Sequence, residues 1–171
     1  VKVLSVLAIA LNEATRDDLP ALVEIDAASS RTPWSHALFQ GEIEAAVSRV
    51  LVARRLHGRR DVVGFICWSA VAGEAEIRNL AVQSRKRRCG VGRALVRAVL
   101  EQASAHGAET VYLEVREAND AARRLYASFG FETTGMRADY YGRDDHGLRM
   151  ALRLASDDGT PAGSGRARPT G

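Results

Sequence analysis

A chain of 171 residues, 46% hydrophobic and 26% charged, has the length and balance of one globular domain with a full hydrophobic core. Its net charge of +3 rests on one run, Arg85-Lys86-Arg87-Arg88, and turns to −1 without it. That excludes a broadly cationic, nucleic-acid-coating surface. The two cysteines, Cys67 and Cys89, cannot by themselves build a disulfide scaffold or a four-ligand zinc site, and they fit a reduced, cytoplasmic setting.

The stretch Val3 to Leu11, interrupted by Ser5, falls far short of the roughly 20 residues that cross a bilayer. Lys2 and the small residues of Ala8-Ile9-Ala10 resemble parts of a secretory leader, but the segment reads better as the entry to a first strand, Ile9 to Ala14. Thr15 is an N-cap candidate with Asp18 three residues on, and a helix follows to about Ala28 with Leu19, Leu22, Val23 and Ile25 on its apolar face. A loop around Arg31-Thr32-Pro33-Trp34-Ser35 leads into a weaker helix, Ser35 to Ser48. Val50 to Arg55 and Val62 to Ala70 read as an antiparallel pair joined by His57-Gly58-Arg59-Arg60, and Glu74 to Val82 as a further strand. A long helix spans Gly90 to His106, stopped by Gly107. Thr110 to Arg116 is a strand, and Asn119 to Ser128 a helix capped by Asn119 and closed by Gly130. Phe131 to Ala138 and Leu148 to Leu154 complete the strands. The order βα(α)βββαβαββ predicts an α/β (α+β) fold: a mixed sheet of about seven strands with helices on both faces. From Ala155 to Gly171 there is no Val, Ile, Leu, Met or aromatic residue, so a folded domain at 1–154 with a disordered polar tail at 155–171 is expected.

The most informative segment joins the strand ending at Val82 to the helix opened by Gly90 and Gly92. N–H groups at a helix start are unpaired, and with the helix dipole they form an anion site. Glycines let a phosphate approach the backbone, while Arg87, Arg88 and Arg93 add charge-assisted donors. The spacing is too short for Gly-x-x-x-x-Gly-Lys, and a polyphosphate is the expected ligand. Cys89 has no recognisable partner base among His36, His57, His106 and His146, and reads as a structural filler whose backbone N–H matters.

Arg87-Arg88-Cys89-Gly90-Val91-Gly92 after a strand resembles the acetyl-CoA motif of the GNAT superfamily of N-acetyltransferases, Gln/Arg-x-x-Gly-x-Gly/Ala. Leu113-Glu114-Val115-Arg116, Asn119, Leu125-Tyr126, Phe129-Gly130-Phe131, Pro33-Trp34-Ser35 and Tyr140-Tyr141 extend the resemblance to RimI-type ribosomal-protein alanine N-acetyltransferases over residues 9–154. The resemblance implies that the first turn of the long helix holds the pyrophosphate of acetyl-CoA, with Arg87, Arg88, Cys89, Gly90, Val91, Gly92 and Arg93 around it. It implies a bulged strand at Leu80-Ala81-Val82 whose backbone pairs with the pantetheine arm, and an oxyanion donor near Val82. Glu114 would be the general base and Tyr126 the general acid, with Asn119 beside Tyr126 at the sulfur end. Trp34, Tyr140 and Tyr141, the last two between the final strands, would flank the peptide entrance. No metal is implied.

Taken alone, Glu114 reads as a strand-edge charge, Tyr126 as an amphipathic core residue and Trp34 as a loop anchor. A terminal amine, with a pKa of about 7.7–8.0, must lose a proton before attacking a thioester, and a carboxylate at the end of a strand suits that task. The implied product is an Nα-acetylated alanine on small-subunit ribosomal protein number eighteen, without membrane or direct nucleic-acid partners. Two alternatives stay open: acetylation of lysine or a small amine on the same fold, and a non-catalytic module that binds acetyl-CoA or RNA.

Overall fold

The computed structural model describes residues 8–56 and 61–155. Among the described residues are seven strands: β1 (Ile9–Glu13), β2 (Ser48–Arg55), β3 (Val62–Val71), β4 (Glu74–Val82), β5 (Thr110–Arg116), β6 (Glu132–Gly142) and β7 (Asp145–Arg153). They form one sheet in the order β1-β2-β3-β4-β5-β7-β6. Four α-helices accompany it, α1 (Leu19–Ala27), α2 (His36–Glu44), α3 (Val91–Ala105) and α4 (Asp120–Ala127). Every neighbouring pair is antiparallel except β4 and β5, which the crossover helix α3 connects in parallel. Class and element order are those expected from the sequence.

Alternation along the strands divides the apolar residues between two layers. Val50 and Val52 of β2 point with Phe65, Cys67 and Ala81 toward Leu22, Ile25 and Phe39 of α1 and α2. Leu51 and Ala53 point the other way, with Ile66, Trp68, Val111, Leu113 and Val115, toward Leu95, Val96 and Val99 of α3 and Tyr126 of α4. Glu114 and Tyr112 are thereby left on the face that α1 and α2 cover only over β2–β4. At the entry to α1, Thr15 N–H donates to Asp18 Oδ2 (2.8 Å), and the Arg54 guanidinium holds both carboxylate oxygens of Asp18.

Element bounds differ from expectation in two places. Helix α2 ends at Glu44 rather than near Ser48, because Ala45 is extended (φ −74°, ψ 133°) and Ser48 already pairs with Ser69 of β3. The last two strands run to Gly142 and start at Asp145, so Tyr140 and Tyr141 lie on β6 itself and not in a connection. The ladder continues there past an irregularity between Arg137 and Gly142, where Asp139 takes a φ of 54°. The joining loop His57-Gly58-Arg59-Arg60 and the tail from Ser156 onward lie outside the described residues.

Leu95 is fully buried where α3 meets the sheet. Leu95→Ala is expected to destabilise the protein by about 2–5 kcal/mol, read as a lower midpoint in urea unfolding.

Candidate functional site

Strands β4 and β5 pair only from Glu74↔Thr110 to Ile77↔Leu113, then diverge. The divergence begins at a bulge: Cys67 of β3 stands opposite Asn79 and Trp68 opposite Ile77, which leaves Arg78 as the extra residue. The bulge is therefore at Arg78, ahead of the expected Leu80-Ala81-Val82. Past it, β4 stays bonded to β3, and Gln83 N–H donates to Val63 O at 2.9 Å. Antiparallel alternation then turns the amides of Asn79 and Ala81 toward β3 and those of Leu80 and Val82 into the gap. Arg87 Nε donates to Val82 O at 3.1 Å. The Leu80 amide and the Val82 N–H are left as edge groups in a wedge-shaped opening.

The chain leaves β4 through a 3-10 turn, Ser84–Lys86, and enters α3 from Gly90, whose φ of 84° is a left-handed conformation that glycine adopts without strain. No side chain caps α3, and the first bond of its ladder runs from Ala94 N–H to Gly90 O (2.9 Å). The N–H groups of Val91, Gly92 and Arg93 have no acceptor among the described residues and, with the helix dipole, form an anion-binding end. Gly64, which sequence reading missed, seats this end on the sheet: a Cβ there would lie 3.0 Å from Ala81 O and 3.1 Å from Val91 Cγ1. Nothing in its immediate sequence distinguishes it, since the close approach is made by residues 17 and 27 positions away.

The arginines of the loop are not equivalent. Arg87 turns inward, donating to Val82 O and, from Nη2, to Ser29 Oγ at 3.1 Å, so it staples the loop to β4 and to the residues after α1. Arg93 donates to Ser128 Oγ (3.2 Å) and lies over the ring of Phe129 (5.1 Å). Arg88 takes a φ of 62° and is exposed. Cys89 is exposed, so it fills no packing space, whereas Cys67 is buried, and burial pushes its thiol pKa well up.

Beside the opening, Glu114 of β5 accepts a hydrogen bond from Arg137 Nη1 of β6 at 2.7 Å. Tyr140 and Tyr141 converge on the same carboxylate. Interaction of the Tyr140 hydroxyl with Glu114 raises its pKa above the usual phenol value, and Tyr141 is raised first by burial and then by Glu114. Arg116, at the end of β5, packs against the Tyr141 ring (4.0 Å), pairs with Asp145 and donates to Thr32 Oγ1 (3.3 Å). It thereby ties the β6–β7 end and the α1–α2 loop to β5. Tyr126 is buried on α4 against Phe131, and its hydroxyl has no partner among the described residues yet is not sealed from solvent. Burial, followed by the nearby Tyr141, raises its pKa far above the ordinary value, so it stays protonated. Asn119 Oδ1 accepts from Ala122 N–H (3.1 Å) as the N-cap of α4.

Trp34 is anchored on the other side of the bulge. Its backbone N–H donates to Asp26 Oδ2 (2.7 Å), and its ring packs on Phe39 and under the Arg78 guanidinium (5.7 Å). Arg78 Nη1 in turn donates to Glu42 Oε1 (2.5 Å), a buried carboxylate whose Oε2 has no partner among the described residues. An open cleft of about 350 Å³ under Glu114 is lined also by Glu76, Tyr112, Met136, Arg137 and Arg149. Among the described residues no cluster of His, Cys, Asp or Glu is placed to hold a metal, and no helix is long and apolar enough to cross a membrane.

The family model described as Acetyltransferase (GNAT) family matches residues 19–131. The [Ribosomal protein bS18]-alanine N-acetyltransferase of Escherichia coli strain K12 is 34% identical over 145 residues, 81% of this chain and 93% of that protein. The crystal structure of the ribosomal-protein-S18-alanine N-acetyltransferase from Escherichia coli superposes with a TM-score of 0.77 at 28% identity, covering 88% of this chain and 98% of that one. Ard1 from Thermoplasma volcanium superposes with a TM-score of 0.79 at 31% identity, covering 87% and 99%.

Because the Glu114 carboxylate is what lifts the Tyr140 phenol, Glu114→Gln is expected to bring that phenol down toward the ordinary tyrosine value. Ultraviolet titration of tyrosinate absorbance, with Tyr140→Phe to assign the step, checks it.

Proposed function

The chain belongs to the GNAT acetyltransferase family, and on that premise we propose that it transfers acetyl from acetyl-CoA to the N-terminal alanine of a small-subunit ribosomal protein. The observation that carries this reading is a single opening that joins an anion-binding helix end, a strand edge with free amides and a carboxylate. The acceptor is suggested by the Escherichia coli relative, a [ribosomal protein bS18]-alanine N-acetyltransferase. The domain is taken as residues 1–154 with a polar tail at 155–171, working in the cytoplasm.

The residues present suit the cosubstrate. The N–H groups of Val91, Gly92 and Arg93 would receive its pyrophosphate, with the exposed Arg88 as a charged donor beside them. The unpaired amides of Leu80 and Val82 match the amides of an extended pantetheine arm, which would add as a strand to the edge of β4. Bound acetyl-CoA supplies an activated carbonyl carbon and a thiolate leaving group.

Glu114 takes a proton from the acceptor ammonium, whose pKa of about 7.7–8.0 makes it mostly cationic near neutrality. The freed amine would form the new N–C bond as the C–S bond breaks, and the second proton it sheds on becoming an amide replaces the one that Tyr126 gives to sulfur. Val82 N–H, turned into the gap, would be the donor to the thioester oxygen. Tyr126, kept protonated by burial, donates to the departing sulfur. Transfer is direct, in a ternary complex: Cys67 is sealed in the core, and Cys89 stands exposed with no base paired to it among the described residues. Tyr140 and Tyr141 offer phenols to the substrate backbone, and Trp34 forms the opposite wall. Arg87 contributes by holding the loop, and Asn119 by starting α4.

Mass spectrometry of peptides incubated with protein and acetyl-CoA tests the acceptor. Acetyl is expected only on free N-termini, most on alanine; products on internal lysines or polyamines alone would replace the acceptor class, and no product from any amine would favour a binding module. Glu114→Gln is expected to lower turnover at saturating peptide by at least about 100-fold with acetyl-CoA affinity little changed. Gly92→Glu is expected to abolish acetyl-CoA binding in calorimetry. Its Cβ would sit 3.4 Å from Leu125 Cδ2, an ordinary contact, so the loss comes from a carboxylate placed among the phosphate donors.

A further inference from the structure

A base that must take a proton from an amine has to meet that amine, and a guanidinium hydrogen-bonded to the carboxylate occupies the place. Yet Arg137 Nη1 sits 2.7 Å from Glu114 Oε1. Register does not force the contact. Arg137 stands opposite Gly147 of β7, and Glu114 opposite Arg149, so the Arg137 side chain reaches across an intervening strand. Arg149, the nearer cation, lies instead on the ring of Tyr112 (4.7 Å). Around Glu114 are also Glu76 of β4 and the phenols of Tyr140 and Tyr141, and among the described residues Arg137 is the one cation that pairs with it.

The pair is also unequal in exposure. The Arg137 side chain is 55% exposed and that of Glu114 22%. An ion pair open to water on one side is weak and exchanges readily for another cation. The Tyr140 ring, with its centroid 4.5 Å from the guanidinium carbon, gives Arg137 a second resting place without Glu114.

We propose that Arg137 is a resident stand-in for the substrate's ammonium, a positioning and specificity residue that occupies Glu114 until a charged amine displaces it. The inference rests on the reading of Glu114 as the base. Only a cation competes for the site, so an amide segment or an already acetylated terminus does not open it. During transfer the ammonium proton passes to Glu114. When the carboxyl releases that proton to water it is anionic again, the product is a neutral amide, and Arg137 returns to the carboxylate, clearing the acceptor position.

The test is calorimetric titration of a free Ala-start peptide into the full-length protein saturated with CoA, where no turnover occurs. Arg137→Gln is expected to bind the peptide about fivefold more tightly, ~1 kcal/mol, and Arg137→Lys to return toward wild-type affinity. In a Glu114→Gln background Arg137→Gln is expected to change affinity little, since the contested carboxylate is gone. Unchanged or weaker binding in Arg137→Gln, with melting temperature and acetyl-CoA affinity intact, overturns the proposal; so does an equal gain in both backgrounds, which would make Arg137 a general repulsive charge. Failure of the base reading shows separately, as wild-type turnover in Glu114→Gln.

Discussion

The site depends on one broken pairing. Parallel strands normally keep every inward amide bonded to the neighbour, and an unpaired buried amide is costly. Here β4 and β5 abandon each other after Ile77 and Leu113, because Arg78 adds one residue to β4 and turns its remaining length away. β4 keeps its ladder to β3, so the strand does not unravel, and the amides it loses face an open wedge. The same wedge sets the end of β4 beside the first turn of α3 and leaves Glu114 on the open part of the sheet. A regular ladder through Val82 and Arg116 would close all of this.

Three arginine–carboxylate pairs surround the opening: Arg78–Glu42, Arg116–Asp145 and Arg137–Glu114. Each joins residues far apart in sequence, and each guanidinium also lies on an aromatic ring, that of Trp34, Tyr141 or Tyr140. Partly exposed pairs of this kind add little to global stability. Their value is geometric, since a planar fork fixed on a carboxylate and stacked on a ring sets where that ring can be. The bulge and the β6–β7 end are thus each held by a charge that could not move without releasing an aromatic wall, whereas Arg137 can leave Glu114 and stay on the Tyr140 ring.

Much of this was legible in the residues. Alternation in Thr110 to Arg116 separated Glu114 from the core-facing Val111, Leu113 and Val115, and Gly90 beside Gly92 marked a helix start open to anions. Other features were hidden because their partners are distant. Arg87 looked like a phosphate donor in an unbroken basic run, but Val82 O and Ser29 Oγ claim its guanidinium. Tyr140 and Tyr141 looked like loop residues because Asp139, Gly142 and Asp144 carry turn chemistry, and β7 recruited them into a bulged ladder nonetheless.

Sequence by itself determined the element order, the two-faced sheet and the residue types gathered for chemistry, because these follow from local periodicity, capping and glycine placement. The tertiary structure alone decided the Arg78 bulge, the need for Gly64 under Val91 and the capture of Glu114 by Arg137. Each of these depends on which strand lies beside which and in what register. Residue 78 becomes a bulge only against Cys67 and Trp68, and residue 137 meets Glu114 only because β6 lies across β7 from β5. Register is a property of pairs of distant segments, and a single segment carries no record of it.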